Sequence, residues 1–142
     1  MADAPDPRLY PARYVETLRY ADTDRQGHVN NAVFATLLES GRVAFLFDPE
    51  RPVAPAGAQF VLARIATDFR RELLWPGRVE IGTGVTRIGG ASVALAQAIW
   101  RDGALAAEAE SVVVLMDDAT RRPVPLPDET RAALAPFAMG TD

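Results

Sequence analysis

The chain has 142 residues, 49% of them apolar and 24% charged, with a net charge of −4 and an isoelectric point near 5.0. That suits one domain with a real core and argues against a nucleic-acid surface as its main business. There is no cysteine, one histidine, and all 15 basic residues are arginine, which removes disulfides, thiolate nucleophiles, thiolate metal sites and lysine Schiff bases from consideration.

The chain opens Met1-Ala-Asp-Ala-Pro-Asp-Pro, with neither a basic start nor an apolar run; it does not read as a secretory signal. No apolar stretch reaches spanning length, so no membrane association is expected. The expected location is the cytoplasm. Residues 1–12 hold three prolines and two aspartates without periodicity and are expected to form a loose arm. Residues 13–142 then make a single domain.

Tyr14, Val15, Thr17 and Tyr20 favour a first strand at about 13–20. A polar turn follows, from Asp22 to Asn31. Beyond it Phe34, Leu37, Leu38, Gly41 and Phe45 recur at helical spacing, within an apolar segment from Ala32 to Phe47. Gly41 costs such a helix roughly 1 kcal/mol against alanine; its expected role is to let the helix approach a sheet closely. Asp48-Pro49 and the proline-containing stretch to Gly57 end the helix.

Four further strands are expected. Phe60 to Arg70 alternates, with Val61, Ala63, Ile65 and Phe69 on one face and Arg64, Asp68 and Arg70 on the other. Arg78 to Ile88 places Val79, Ile81 and Val85 opposite Gly82 and Gly84, glycines that imply a bend or a close neighbour. Ala91 to Trp100 alternates through Val93, Leu95 and Ile99, and Asp102-Gly103 is a hairpin signal. Ala104 to Met116 would suit a helix by propensity in its first half; the preceding turn and the run Val112-Val-Val-Leu115 favour a strand. A short helix from Asp128 to Leu134 closes the pattern, with acids in its first turn. One strand, one long helix and four strands make an α+β fold, with the helix on one face of an antiparallel sheet.

The stretch Asp22-Thr-Asp24, Gly27-His-Val-Asn-Asn31, with Glu39 and Arg42 on the helix behind it, carries a family likeness. It resembles the hotdog-fold acyl-CoA thioesterases of the 4-hydroxybenzoyl-CoA thioesterase type. The pattern D-x-D-x-x-G-H-V-N-N is the specific portion, and a weaker likeness extends to the tail at Asp128. The resemblance implies a hotdog fold, in which a curved antiparallel sheet wraps one long helix. It also implies a homodimer joined sheet edge to sheet edge, with assembly to a homotetramer open. The substrate would be a coenzyme A thioester and no cofactor would be needed.

Asp24 is the implied catalytic carboxylate. An ordinary aspartate is ionised at neutral pH, and it would act as a base on water or as a nucleophile on the thioester carbon. The plainer reading is an aspartate binding its own turn. Asp22 reads better as a turn-stabilising or solvated carboxylate. Asn31 opens the helix, and the resemblance makes its backbone N–H the donor that polarises the carbonyl; Asn30 or Asn31 would also cap the helix. Gly27 permits a positive φ. His28 would position water or substrate, or hold the loop by hydrogen bonds.

Glu39 and Arg42 are spaced to pair on the helix surface, and Glu39 is the backup carboxylate. Arg64, Arg87 and Arg101 are the arginines considered for the phosphates of coenzyme A. Gly89, Gly90 and Ser92 are considered for the pantetheine arm. Phe34 stands where relatives often carry tyrosine, so a more hydrophobic acyl channel is expected. A metal is not expected, since one histidine without cysteine leaves only carboxylates to complete a shell. The alternatives are hydrolysis of a carrier-protein thioester and a non-catalytic acyl-CoA-binding role. A hotdog dehydratase lacks its histidine–aspartate signature here.

Overall fold

The computed structural model describes residues 5–140. In chain order the elements are β1 (Ala12–Thr17), α1 (Asn31–Leu46), β2 (Ala58–Phe69), β3 (Arg78–Ile88), β4 (Ser92–Arg101), β5 (Ala104–Asp117) and α2 (Asp128–Leu134). The strands form one antiparallel sheet in the order β1-β3-β4-β5-β2, with α1 packed on its inner face. This is the hotdog arrangement.

The apolar stripe of α1 makes the core. Phe34, Leu37 and Leu38 bury against Val79, Ile81, Ile99 and Ala107, while Phe45 and Leu46 join Val85, Leu95, Val113 and Leu115 further along. Each such fully buried side chain contributes about 1.5–3 kcal/mol. Gly41 sits where expected: a Cβ there would lie 2.6 Å from Ile81 Cγ2. The missing side chain is what lets the helix touch β3.

The strand reading of 104–116 holds. Asp102 (φ 50°) and Gly103 (φ 79°) both adopt the left-handed conformation that a tight two-residue hairpin requires, and β5 pairs with both β4 and β2. Pairing on both edges overrides the helix propensity of the alanine–glutamate run. The short C-terminal helix also forms where expected.

Two expectations change. The first strand ends at Thr17, and Tyr20–Asp22 form a 3-10 turn instead of its last residues. Asp22 closes that turn by accepting the Arg19 backbone N–H at 2.8 Å. In β2 the register against β5 shifts between Leu62 and Arg64, so Ala63 is a bulge and alternation does not run through it. Phe60, Leu62, Ile65, Thr67 and Phe69 stand opposite the buried Leu115, Val113, Ser111, Ala109 and Ala107 and share their inner face. Val61 therefore faces outward instead of inward.

Within the stretch 1–12, Pro7–Leu9 form a 3-10 turn and Tyr10 is buried against the outer face of the sheet. Its ring meets Trp100 edge-on at 5.2 Å. Gly82 leaves room for this: a Cβ there would lie 2.8 Å from both Trp100 and Tyr10. The strand glycines thus mark a close neighbour.

Candidate active site

The turn before α1 is a small loop held by its own hydrogen bonds. Thr23 bridges to Val29, the Asp24 N–H donates to His28 O at 2.7 Å, and the Gly27 N–H donates to Asp24 O at 3.0 Å. Gly27 has φ 83°, which a side chain would resist. Asp24 Oδ1 accepts the Gln26 N–H at 2.8 Å and the His28 N–H at 3.2 Å. The carboxylate is therefore anchored through one oxygen, while Oδ2 accepts no hydrogen bond among the described residues. The turn-binding and chemical readings of Asp24 are compatible, because each uses a different oxygen.

The loop is tied to the rest of the molecule at both ends. Asn30 N–H donates to Asp22 O at 2.9 Å, and Val29 N–H donates to Leu73 O at 2.8 Å. Asn30 is the N-cap, its side chain accepting the Ala32 N–H at 2.9 Å. Asn31 is then the first helical residue. Its N–H has no partner among the described residues, as the geometry of a helix start dictates.

These groups open on one cavity of about 410 Å³, lined by Asp24, Gln26, His28, Val29, Asn31, Phe34 and the run Phe69 to Glu72. Phe34 meets Phe69 edge-on at 5.2 Å, giving an apolar wall. His28 Nε2 lies 3.3 Å from Glu72 Oε2. Arg70 is engaged by Glu108 at 3.0 Å, whereas Arg71 makes no ion pair among the described residues.

Asp24, His28, Asn31 and Phe34 thus come together, with Gly27 and Asn30 shaping the turn beside them. Glu39 is exposed on α1 and does not line the cavity. Its expected surface pair with Arg42 is absent among the described residues. Arg42 is only 7% exposed and donates from Nη1 to Gln97 Oε1 at 3.2 Å. It follows Gly41 on the face pressed to the sheet, and burial lowers its pKa, partly opposed by the Glu39 charge.

Arg64 projects from the middle of β2 and Ser92 begins β4; neither lines the cavity. Arg87 is exposed near the end of β3. Arg101 is committed to the backbone, donating to Leu74 O and Pro76 O. The sequence reading missed Gln26, Phe69, Arg70, Arg71 and Glu72 as cavity residues. The twin Arg70-Arg71 at a strand end was the available signal, since paired arginines beside an apolar strand suit an anionic ligand.

Residues 18–134 match the family described as the thioesterase-like superfamily. The chain belongs to that superfamily. Solved structures agree with this. A protein from Pseudomonas aeruginosa is 26% identical, with a TM-score of 0.84 over 96% of this chain and 97% of that one. A predicted thioesterase from Bacillus stearothermophilus is 30% identical, with a TM-score of 0.79 over 92% of this chain and 98% of that one. A thioesterase from Thermus thermophilus, complexed with coenzyme A and zinc, is 29% identical, with a TM-score of 0.80 over 91% and 95%. No curated protein matches the chain. As a member of the thioesterase-like superfamily the protein is a thioester hydrolase.

Proposed function

We propose that the protein hydrolyses the thioester of a fatty or other hydrophobic acyl-coenzyme A, in the manner of the 4-hydroxybenzoyl-CoA thioesterase type and without a cofactor. One observation carries this reading: Asp24 and Asn31, whose N–H has no partner among the described residues, line the same cavity. An amide at a helix start, aided by the helix dipole, stabilises the charge that develops on a carbonyl oxygen under attack. The free oxygen of Asp24 supplies the attack, either directly on the acyl carbon or through a water.

The cavity wall favours the acyl class. Phe69 presents a half-exposed ring with no polar group, backed edge-on by the buried Phe34. Arg71, with no ion pair among the described residues, offers its guanidinium to a coenzyme phosphate. The bound coenzyme A of the Thermus relative supports the same donor.

A homodimer belongs to the proposal. β2 is a sheet edge 12 residues long, and its inner-face Leu62 and Phe69 are 46% and 51% exposed. Pairing two such edges would satisfy their backbone groups and cover these side chains.

Thiol release over a panel of acyl-CoAs tests the reading, with carrier-protein thioesters of the same chains as comparators. Asp24→Asn is expected to lower turnover by roughly 10²–10⁴-fold while leaving coenzyme A binding intact. Unchanged turnover in that variant removes Asp24 from the mechanism, and preference for the carrier-bound donor overturns the coenzyme assignment.

A further inference from the structure

We propose that the exposed rings of Trp75 and Tyr20 form a platform on which the adenine of the coenzyme stacks, outside the cavity that holds the thioester. The inference rests on the coenzyme A reading above and names where the nucleotide end binds.

Two large aromatic side chains stand in solvent beside the turn before α1. Tyr20 is 74% and Trp75 is 45% exposed, and their rings meet edge-on at 5.3 Å. Leaving them in water forfeits the stabilisation that burial gives an aromatic side chain. An edge-on pair keeps at least one face of each ring open, and an open face is what a flat heterocycle needs for stacking.

The backbone holds both rings in place. Arg101 grips the chain on either side of Trp75, donating from Nη1 to Leu74 O and from Nη2 to Pro76 O. Gly77 makes room for that grip, since a Cβ there would collide with the guanidinium. Gly77 O accepts the Leu18 N–H at 2.8 Å, which ties the segment to the end of β1. Tyr20 O accepts the Thr23 N–H at 3.1 Å and the Thr23 hydroxyl at 2.7 Å. Stacking on residues whose backbone is already fixed loses little further chain entropy.

Backbone bridges set the place of the pair. Leu74, next to Trp75, bridges to His28, and Thr23, three residues after Tyr20, bridges to Val29. His28 and Val29 line the cavity, whereas neither aromatic ring does. In a coenzyme A thioester the pantetheine arm separates the nucleotide from the reacting carbon. With that carbon beside Asp24 and Asn31, the adenine must rest outside the cavity. Charge agrees with this. Arg25, five residues after Tyr20, and Arg78, three after Trp75, are exposed and make no ion pair among the described residues. Both guanidiniums are available to the phosphates of an adenine nucleotide.

The test reads Trp75 by fluorescence, because the other tryptophan, Trp100, is buried against Tyr10. Wild type, Trp75→Phe and Trp75→Ala are titrated with coenzyme A, adenosine 3′,5′-bisphosphate, pantetheine and ATP, with calorimetry alongside. Coenzyme A and the bisphosphate are expected to quench wild-type emission saturably, and pantetheine to leave it unchanged. Trp75→Phe should lose the quench yet bind coenzyme A within a few-fold of wild type, because a ring remains. Trp75→Ala should bind coenzyme A and the bisphosphate roughly ten- to hundredfold more weakly. Affinity for pantetheine should be the same in all three proteins, which separates loss of the stack from misfolding. Coenzyme A binding without a quench, or with unchanged affinity in Trp75→Ala, overturns the platform and leaves the coenzyme reading standing. ATP binding more tightly than coenzyme A assigns the rings to a free nucleotide and also overturns it. So does emission that follows protein concentration and not nucleotide, the mark of a contact between copies. Absence of coenzyme A binding to the wild type defeats the coenzyme reading itself, and the platform with it.

Discussion

Asp22 and Arg19 lock the entrance to the turn before α1. Asp22 Oδ2 accepts the Arg19 backbone N–H at 2.8 Å, and Oδ1 accepts the guanidinium Nη2 and Nε at 2.8 and 3.1 Å. Asp22 is 4% exposed. Burial by itself pushes its carboxyl up, but the side-chain bonds, the backbone bond and the charge of Arg19 together outweigh that and hold it below the ordinary aspartate range. The stabilisation is therefore present above the pKa of the unfolded chain and is lost as pH falls through the lower folded value. Asp22→Asn should cost about 1–3 kcal/mol at neutral pH, and the gap to wild type should close below about pH 4. Thermal melts from pH 7 to 3 check this; a gap that stays constant across the range contradicts it.

Arg71 gives a separate test of the proposed coenzyme contact. It lines the cavity and has no ion-pair partner among the described residues. Arg71→Ala should raise KM for acyl-CoAs by roughly tenfold with kcat nearly unchanged, since a phosphate contact stabilises ground state and transition state alike. Thioesters truncated before the nucleotide should not respond. Equal losses on full and truncated substrates would place Arg71 elsewhere in the site.

The aromatic wall tests the proposed acyl preference. Phe34 is buried in the core, while Phe69 is half-exposed and meets it edge-on at 5.2 Å. Phe69→Ala should shift the preference toward bulkier acyl chains and leave the fold intact. Phe34→Tyr should weaken turnover of hydrophobic acyl-CoAs by a few-fold, because its hydroxyl would need a polar partner. A hydrolysis panel over chain length reads both; a wild-type preference for short polar acyl groups would refute the channel assignment.

Gly41 tests the packing of helix on sheet. Alanine gains helix propensity of roughly 1 kcal/mol, yet its Cβ would lie 2.6 Å from Ile81 Cγ2. Ile81 is fully buried and cannot step aside cheaply. Overpacking of this kind costs typically about 1–3 kcal/mol. Gly41→Ala should melt lower than wild type, and a higher melting temperature would show that the helix can lift without loss.

Residues close along the chain were legible before folding. The turn Asp24 to Asn31, the helix behind it and Phe34 one turn in are neighbours by local geometry, so their spacing already placed a carboxylate beside a helix start. The glycine that admits the helix and the hairpin at Asp102-Gly103 were legible for the same reason. The opposite wall was not. Phe69 to Glu72 reach the cavity because β2 pairs with β5 and its far end, joined to the turn by the Val29–Leu73 hydrogen bond, lies beside Asp24 to Asn31. Arg64 and Ser92 were considered and fell elsewhere, because periodicity gives the face of a strand residue but not which end of the sheet meets the turn. Arg42 went from surface to interior by the same logic: one helical step beyond Gly41, the contact with the sheet, and not the charge, decides its surroundings. Long-range pairing set the second wall, and only the folded sheet carries that information.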